Sequence, residues 1–393
     1  AHNPDLLVAA ARVAVASEYV QLSASTLYPQ VNVLARGGGE SGGDSSGLEG
    51  AGIFADWEVD LWGRLRSARA ANEVTYEASV ADAEQARQSV AALVAKSYFL
   101  AVEAALQQRL AEEMAAAADE LVMLTGERQR VGRGDAFDVA LARANAATFR
   151  DTVIGLSLAK DQALRALEAL IGRYPAAAID IAEGIAEWPG PVPVGLPSEL
   201  LERRPDVVAA ERRVAAAFYR REEARAARLP SIALTASYTD LSSDLFELKQ
   251  RDNPVWSAGG RLLAPLFNGG ALRAQVRIRT AEQRQAIADY GRIGARAFGE
   301  VENALSAEIT AGRREQVLAS AAAENQRALE LAQIRYDVGS GDLRDVQQQQ
   351  VAVHGSRAAL VRMQTERLVQ RVNLYLALGG GFDEPAVKDR SSL

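Results

Sequence analysis

A long internal repeat constrains this chain more than any other feature. Pro4-Asp5, Arg12-Val13 and Pro29 recur as Pro205-Asp206, Arg213-Val214 and Pro230, each 201 residues later. Gly132-Arg133-Gly134-Asp135, followed by Asp138-Val139, recurs as Gly339-Ser340-Gly341-Asp342, followed by Asp345-Val346, 207 residues later. Leu167–Gly172 matches Leu374–Gly379 at the same 207-residue offset. One unit copied once, with small insertions, means two similar structures in similar environments.

Composition says what the units are built from. Ala dominates the apolar residues, aromatics are 6%, and Arg, Glu and Gln are frequent. That favours long, closely packed helices over a thick globular core. A length of 393 residues allows two or three ordinary domains. The net charge of -7 gives nucleic acid no electrostatic footing, so none is expected as a partner. With no Cys, disulfides, thiol catalysis and Cys-based metal sites are excluded together, a composition that suits the periplasm or outer envelope. No run of about 20 apolar residues is evident, so no transmembrane helix is expected. The chain opens inside the repeat motif, at Ala1-His2-Asn3-Pro4-Asp5, without a signal peptide. It reads as a fragment or processed form whose targeting segment lies upstream.

The expected fold class is mainly α with a small β part. Residues 1–172 form the first repeat, 173–197 a Pro/Gly-rich connector, 198–379 the second repeat and 380–393 a loose tail. Each repeat reads as a helix, a strand pair, a long helix and a shorter return helix. The first helix spans Pro4 to Leu27. Arg64 to about Val131 contains no Pro and almost no Gly, so as one helix it is on the order of 100 Å long. Leu93, Ser97, Leu100 and Ala104 carry its expected seam, with Ala allowing close helix approach. Gly132 to Gly134 break it, and Asp135 is the expected N-cap of a return helix from Ala136 to Ile171. The second copy repeats this, with a long helix from about Leu272 to Val338 and Asp342 capping a helix to Leu378.

Strand pairs are expected at 30–36 with 51–61, and at 231–239 with 255–266. Val31, Val33 and Ala35 alternate with Asn32, Leu34 and Arg36. Ala51, Ile53, Ala55, Trp57, Val59 and Leu61 oppose Gly52, Asp56, Glu58 and Asp60, with Phe54 a misfit on the polar side. Ile232, Leu234, Ala236 and Tyr238 alternate with Ser231, Thr235, Ser237 and Thr239. Trp256, Ala258, Leu262, Ala264 and Leu266 alternate with Ser257, Gly259 and Arg261. Gly/Ser-rich Gly37–Gly47 and polar Asp240–Pro254 read as the loops. Such alternation gives one oily and one wet face, and roughly 10 residues suffice to cross a bilayer as a tilted strand. A half-buried soluble hairpin fits the alternation equally well. Four strands cannot close a barrel, since about eight is the minimum. If they face lipid, three chains closing twelve strands over six helical units is the expected solution.

Val194-Gly195-Leu196-Pro197-Ser198-Glu199-Leu200-Leu201-Glu202-Arg203-Arg204-Pro205-Asp206-Val207 resembles the signature of TolC-like outer-membrane efflux proteins, in the NodT group of lipoprotein efflux channels. Leu229-Pro230-Ser231-Ile232 and Pro265-Leu266-Phe267-Asn268-Gly269-Gly270 are similar to the same family at its strand borders. The resemblance runs from Asn3 to about Gly379. It implies a homotrimeric channel, with a β-barrel in the outer-membrane lipid of a Gram-negative bacterium and an α-helical barrel in the periplasm. It also implies a periplasmic adaptor (a membrane fusion protein), an inner-membrane pump of the resistance-nodulation-division type, and passive exit of drugs, solvents or metal ions. A lipid-bearing Cys upstream of Ala1 and a further N-terminal helical segment are implied as well.

A conduit needs no catalytic residue, and neither a cofactor nor a metal site is expected. The hairpin tips, Gly132, Arg133, Gly134, Asp135 and Gly339, Ser340, Gly341, Asp342, lie farthest from the strands and so at the periplasmic mouth. The resemblance implies adaptor docking there; a plain helix–helix turn needs the same residues. Asp138, Arg335, Tyr336, Arg344, Asp345 and Gln348 are the gate candidates, with Arg128 nearby. Their charges offer inter-helix links that hold the mouth shut, or an acidic ring favouring cations. Ordinary i,i+4 pairing on a wet helix face is the plain alternative. Gln347-Gln348-Gln349-Gln350 puts neutral amides where many relatives carry an Asp. Trp57, Trp62, Trp256 and Tyr238 suit interfacial girdles or packing against helices. His2 and His354 lack partner spacing, and Met114, Met123 and Met363 read as seam or core. Two rivals remain, a type I secretion outlet and a soluble coiled-coil tether. No enzymatic constellation stands out, since the Gly-Arg-Gly-Asp turn lacks the preceding strand of a phosphate loop.

Overall fold

The structure, a computed structural model, describes residues 3–36, 49–190, 203–242 and 254–380. The Gly37–Gly47 loop, most of the Asp240–Pro254 loop, the connector after residue 190, the signature up to Glu202 and the tail beyond residue 380 lie outside the described residues.

The elements run α1 (Pro4–Ser25), β1 (Gln30–Arg36), β2 (Glu49–Val59), α2 (Arg64–Arg130), α3 (Ala136–Leu170), α4 (Pro205–Ala226), β3 (Ser231–Ser242), β4 (Pro254–Leu263), α5 (Ala271–Asp337) and α6 (Leu343–Ala377). Matching helices have equal lengths: 22 residues for α1 and α4, 67 for α2 and α5, 35 for α3 and α6. The chain divides into two compact units that cut across the sequence copies. A sheet unit takes Ala9–Ala83 and Pro205–Gly294, and a hairpin unit takes Ala1–Val8, Glu84–Arg204 and Ala295–Leu393.

In the sheet unit, the four strands form one antiparallel sheet in the order β1-β2-β3-β4. β2 and β4 end earlier than expected, so Leu61, Ala264 and Leu266 fall outside the strands, while β3 continues to Ser242. The register settles which faces coincide. Val33 opposes Ile53, Ile53 opposes Tyr238 and Tyr238 opposes Trp256, while Trp57 opposes Leu234. Directly opposed residues share a face, so the apolar sets of all four strands lie on one side of the sheet. The misfit Phe54 has a local cause: a Cβ on Gly52 would stand 3.0 Å from its ring, so the ring lies along a bare stretch of backbone. Trp57 and Trp62 donate their ring N–H groups to the carbonyls of Leu27 (2.9 Å) and Pro230 (2.7 Å), fixing both where the strands begin.

The hairpin unit is a coiled-coil packing. Gln107, Ala111, Met114, Ala118, Leu121 and Thr125 are buried along α2 with alternating spacings of four and three. On α5, Ala297, Ala304 and Ala311, then Ala322, Leu329 and Tyr336, are buried seven apart. A seven-residue period is the signature of left-handed supercoiling, and Ala at these positions brings the axes close. The expected seam needs correction here, because Leu93 and Leu100 are exposed while Ala92 and Ala101 are buried. Size does not mark the inner face when the inner face is selected for smallness. Met114 and Met363 are buried, but Met123 faces outward. A second correction follows from alanine: α1 and a stretch of α2 are each long and apolar enough to cross a membrane as helices by length and composition, and each such stretch is only 11% buried.

Candidate functional site

The two hairpin turns are chemically matched. At the end of α2, Arg133 N–H donates to the Arg128 carbonyl (2.8 Å) and Gly132 N–H to that of Gln129 (3.0 Å). At the end of α5, Ser340 N–H donates to Arg335 (2.9 Å) and Gly339 N–H to Tyr336 (3.1 Å). This paired closure puts the first glycine in the left-handed region, with φ 75° at Gly132 and 78° at Gly339. The second glycine serves a different need. A Cβ on Gly134 would lie 3.0 Å from the Gln129 nitrogen, and one on Gly341 would lie 2.9 Å from Arg335 Cβ. Next comes the cap: Asp135 accepts from Phe137 N–H (3.3 Å) and Asp342 from Arg344 N–H (3.1 Å), both with extended backbones.

The turns enclose a cleft of about 580 Å³, lined in part by Arg128, Arg133, Asp138, Tyr336, Ser340 and Asp342. Arg128 organises it. Its guanidinium donates to the carbonyl of Tyr336 (3.1 Å), lies 4.0 Å over the Tyr336 ring and stands 3.7 Å from the Asp337 carboxylate. A cation here meets the negative end of α5, the aromatic face and a carboxylate together. The sequence puts Arg128 beside the gate candidates without ranking it above them; its contacts span more than 200 residues and no local spacing reveals them. Tyr336 and Asp138 are brought to this cleft. Arg335, Asp345 and Gln348 are exposed and lie outside its lining, and Arg344 lies 5.0 Å over the Phe137 ring instead. The glutamine run is split by helix geometry. Gln347 and Gln350 are buried in the hairpin packing, where the Asn145 amide donates to the Gln350 side-chain oxygen Oε1 (3.4 Å), while Gln348 is exposed. Only part of that run is therefore positioned to face water. Among the described residues no cluster of His, Cys, Asp or Glu is arranged to hold a metal ion.

A second constellation fixes the connector. Arg371 is almost fully buried, bonds Glu308 through two nitrogens (2.6 and 3.1 Å) and donates to the Gly190 carbonyl (2.6 Å). Burial works against its charge, but the Glu308 carboxylate and the Tyr375 hydroxyl outweigh that and raise its pKa. Arg367 pairs with Glu315 (2.8 Å), and both guanidiniums pack on the Trp188 ring, at 3.7 and 4.3 Å. Upstream, the Glu168 carboxylate accepts from the N–H groups of Ala177, Ala178 and Ile179 at 2.7–3.0 Å. Burial opposes its ionisation, and those donors prevail, holding its pKa below the usual range. The available signal was Arg367 and Arg371 four apart on α6, facing Glu308 and Glu315 seven apart on α5.

The family model for outer membrane efflux proteins matches residues 1–173 and 196–380. The chain belongs to the outer membrane efflux protein family. It is 32% identical over 401 residues to the pyoverdine export outer membrane protein OpmQ of Pseudomonas aeruginosa, covering 97% of this chain and 83% of the relative. Against the toluene efflux pump outer membrane protein TtgC of Pseudomonas putida the identity is 31%, covering 98% and 81%. The crystal structure of CusC superposes with a TM-score of 0.88 at 26% identity, covering 97% of this chain and 90% of that one. The open state of the Neisseria gonorrhoeae MtrE channel gives 0.87 at 30%, covering 97% and 87%. This efflux protein therefore has the channel fold of an outer-membrane factor.

The family signature has a structural reason in this member. Arg204 is buried and donates to the Ala377 carbonyl (2.9 Å) at the end of α6, while pairing with Glu300 (2.7 Å). Asn3, its counterpart in the first copy, donates to the Leu170 carbonyl (2.8 Å) at the end of α3. Both residues satisfy the open carbonyls of a return helix.

Proposed function

We propose that this efflux protein is the homotrimeric exit duct of a tripartite pump, with its sheet in the outer membrane of a Gram-negative bacterium and its helices in the periplasm. One observation carries the reading: a four-stranded sheet has a continuous apolar face, yet among the described residues β1 and β4 each keep an unpaired outer edge. Open edges are untenable in hydrocarbon, and three copies supply twelve strands for closure. The duct is passive, a reading supported by relatives named as outer membrane proteins of export and efflux systems. The hairpin turns dock a periplasmic adaptor, Gly132–Asp135 and Gly339–Asp342 forming its footprint. The adaptor joins the duct to an inner-membrane pump of the resistance-nodulation-division type. A lipid anchor upstream of Ala1 completes the placement. The cargo is a small molecule or ion of the kinds its relatives are named for: pyoverdine, toluene or a cation.

The gate is the tie between the α2 and α5 ends through Arg128, rather than the Arg344–Asp345 charges. Detergent-purified protein should have the mass of three chains and conduct in planar bilayers, with Arg128→Ala raising the conductance several-fold. A stable monomer that passes no current would overturn the reading.

A further inference from the structure

The polar face of the sheet carries an apolar row. Leu34 opposes Gly52, Gly52 opposes Thr239 and Thr239 opposes Val255, so the four lie in one line across all four strands. Directly opposed residues share a face, and this one is turned away from Ile53 and Tyr238. We infer that this row, covered at its centre by the Phe54 ring and bordered by Asp56, is a contact site inside the duct for an organic cation with a flat apolar body. The inference deepens the duct reading and rests on it, since only a sheet that lines a lumen shows this face to cargo.

The row is apolar because Gly52 leaves its place to its neighbours. A Cβ there would lie 2.6 Å from the Thr239 methyl carbon and 3.0 Å from the Phe54 ring, so methyl and ring close over the bare backbone together. An aromatic side chain commonly shields a strand glycine in this way. The Thr239 hydroxyl is spent on the Val255 carbonyl (3.4 Å), which leaves its methyl to face the row. Covering Gly52 explains where the ring lies, but not what else stays bare. Leu34 is 60% exposed, Val255 52% and Phe54 37%. The interior of a membrane barrel is polar, so exposed hydrocarbon aligned across four strands there serves neither the core nor the lipid contact.

The charge beside the row is negative and uncommitted. Asp56 follows Phe54 on the same face, and it is exposed with no hydrogen-bond or ion-pair partner among the described residues. Its neighbours do not neutralise it. It opposes Gln30 and Thr235; Glu58, one row nearer α2, is paired with Arg64 (2.7 Å); and Arg261, in the row of Glu58, stands two strands away on β4. The floor beside the ring is low, because Phe54 opposes Ser237 and Ser237 opposes Ser257, whose hydroxyls bond each other (2.8 Å). A ring with an open face next to an unpaired carboxylate attracts positive charge twice over, through the ring quadrupole and through the anion. Leu34 and Val255 then take the hydrocarbon that such a cation carries. An anion of the same shape would meet Asp56 with like charge. Repeated in three chains, the row becomes a belt that cargo touches in passing and, being open to water, leaves again.

Single-channel recordings of the full chain in planar bilayers test the site with N-methylquinolinium, a flat aromatic cation. It should lower the conductance in a saturable way. Tetramethylammonium has the charge without the rings, and naphthalenesulfonate has the rings with the opposite charge; both should block several-fold less well. Phe54→Ser and Asp56→Asn should each raise the half-blocking concentration several-fold, and Phe54→Tyr should keep the original value. Asp56→Asn alters an exposed, unpartnered side chain, so it reports on the site even if uncovering Gly52 unsettles the sheet in Phe54→Ser. A conducting protein that N-methylquinolinium does not block, or blocks equally in the Asp56→Asn variant, would overturn the site and leave the duct standing. A protein that carries no current would overturn both.

Discussion

Each hairpin turn spends its two glycines on different problems, and single substitutions separate them. Gly132→Ala forces a side chain into φ 75° and should cost about 1–2 kcal/mol. Gly134→Ala meets backbone at 3.0 Å and should cost about 1–3 kcal/mol. Gly155, inside α3 with nothing near its missing Cβ, should gain roughly 0.4–1 kcal/mol on change to Ala. Thermal unfolding of the three variants checks the order, and equal effects would refute the distinction. His354 gives a pH test. It is half-buried against the edge of Phe149, its Nδ1 has no partner among the described residues, and burial lowers its pKa from 6.5. The folded state then binds fewer protons than the unfolded one, so stability is full above about pH 6.5 and falls as pH drops through the folded value. His354→Leu should flatten that decline in melting temperature. The glycines and the Asp135 and Asp342 caps were legible in the sequence because their causes lie within a few residues. Arg128 was not, because what it holds is more than 200 residues away.

At the scale of elements, the connector is held by charge inside a helix pair. Arg371→Met removes the cation that compensates Glu308, a carboxylate whose side chain is mostly buried. Stranding it should cost about 3–5 kcal/mol, seen as a lower denaturant midpoint. Adding Glu308→Leu should recover most of that loss, since an apolar pair of similar volume replaces a buried ion pair nearly without penalty. A double variant as unstable as the single would show that Arg371 acts through Trp188 and Gly190 instead. Helix order and length were readable from the absence of Pro and the Gly-Asp punctuation. The seam was not, because Ala and Leu trade places relative to the usual rule: Leu93 and Leu100 face outward and Ala101 and Ala111 inward.

At the scale of the whole molecule, the decisive question is which medium wets each face of the sheet. Ile53 stands on the apolar face, opposite Val33 and Tyr238, whereas Thr235, opposite Asp56 and Gly259, stands on the other. Strand alternation and the two hairpin pairings, β1 with β2 and β3 with β4, were legible in the sequence, but the β2–β3 pairing between the copies was not, because it is a long-range choice; the register then aligns all four apolar sets. If that face meets lipid, Ile53→Lys places a cation in hydrocarbon at about 2–4 kcal/mol per chain, multiplied around a closed barrel. Thr235→Lys places the same charge in the water-filled interior, where it adds to Arg261 rather than opposing assembly. Refolding into lipid vesicles, followed by heat-modifiable gel migration, should show a large loss of inserted protein for Ile53→Lys and little for Thr235→Lys. In planar bilayers Thr235→Lys should then shift ion selectivity toward anions. Equal insertion of the two variants would mean that the apolar face is buried by protein, and the barrel would have to be abandoned.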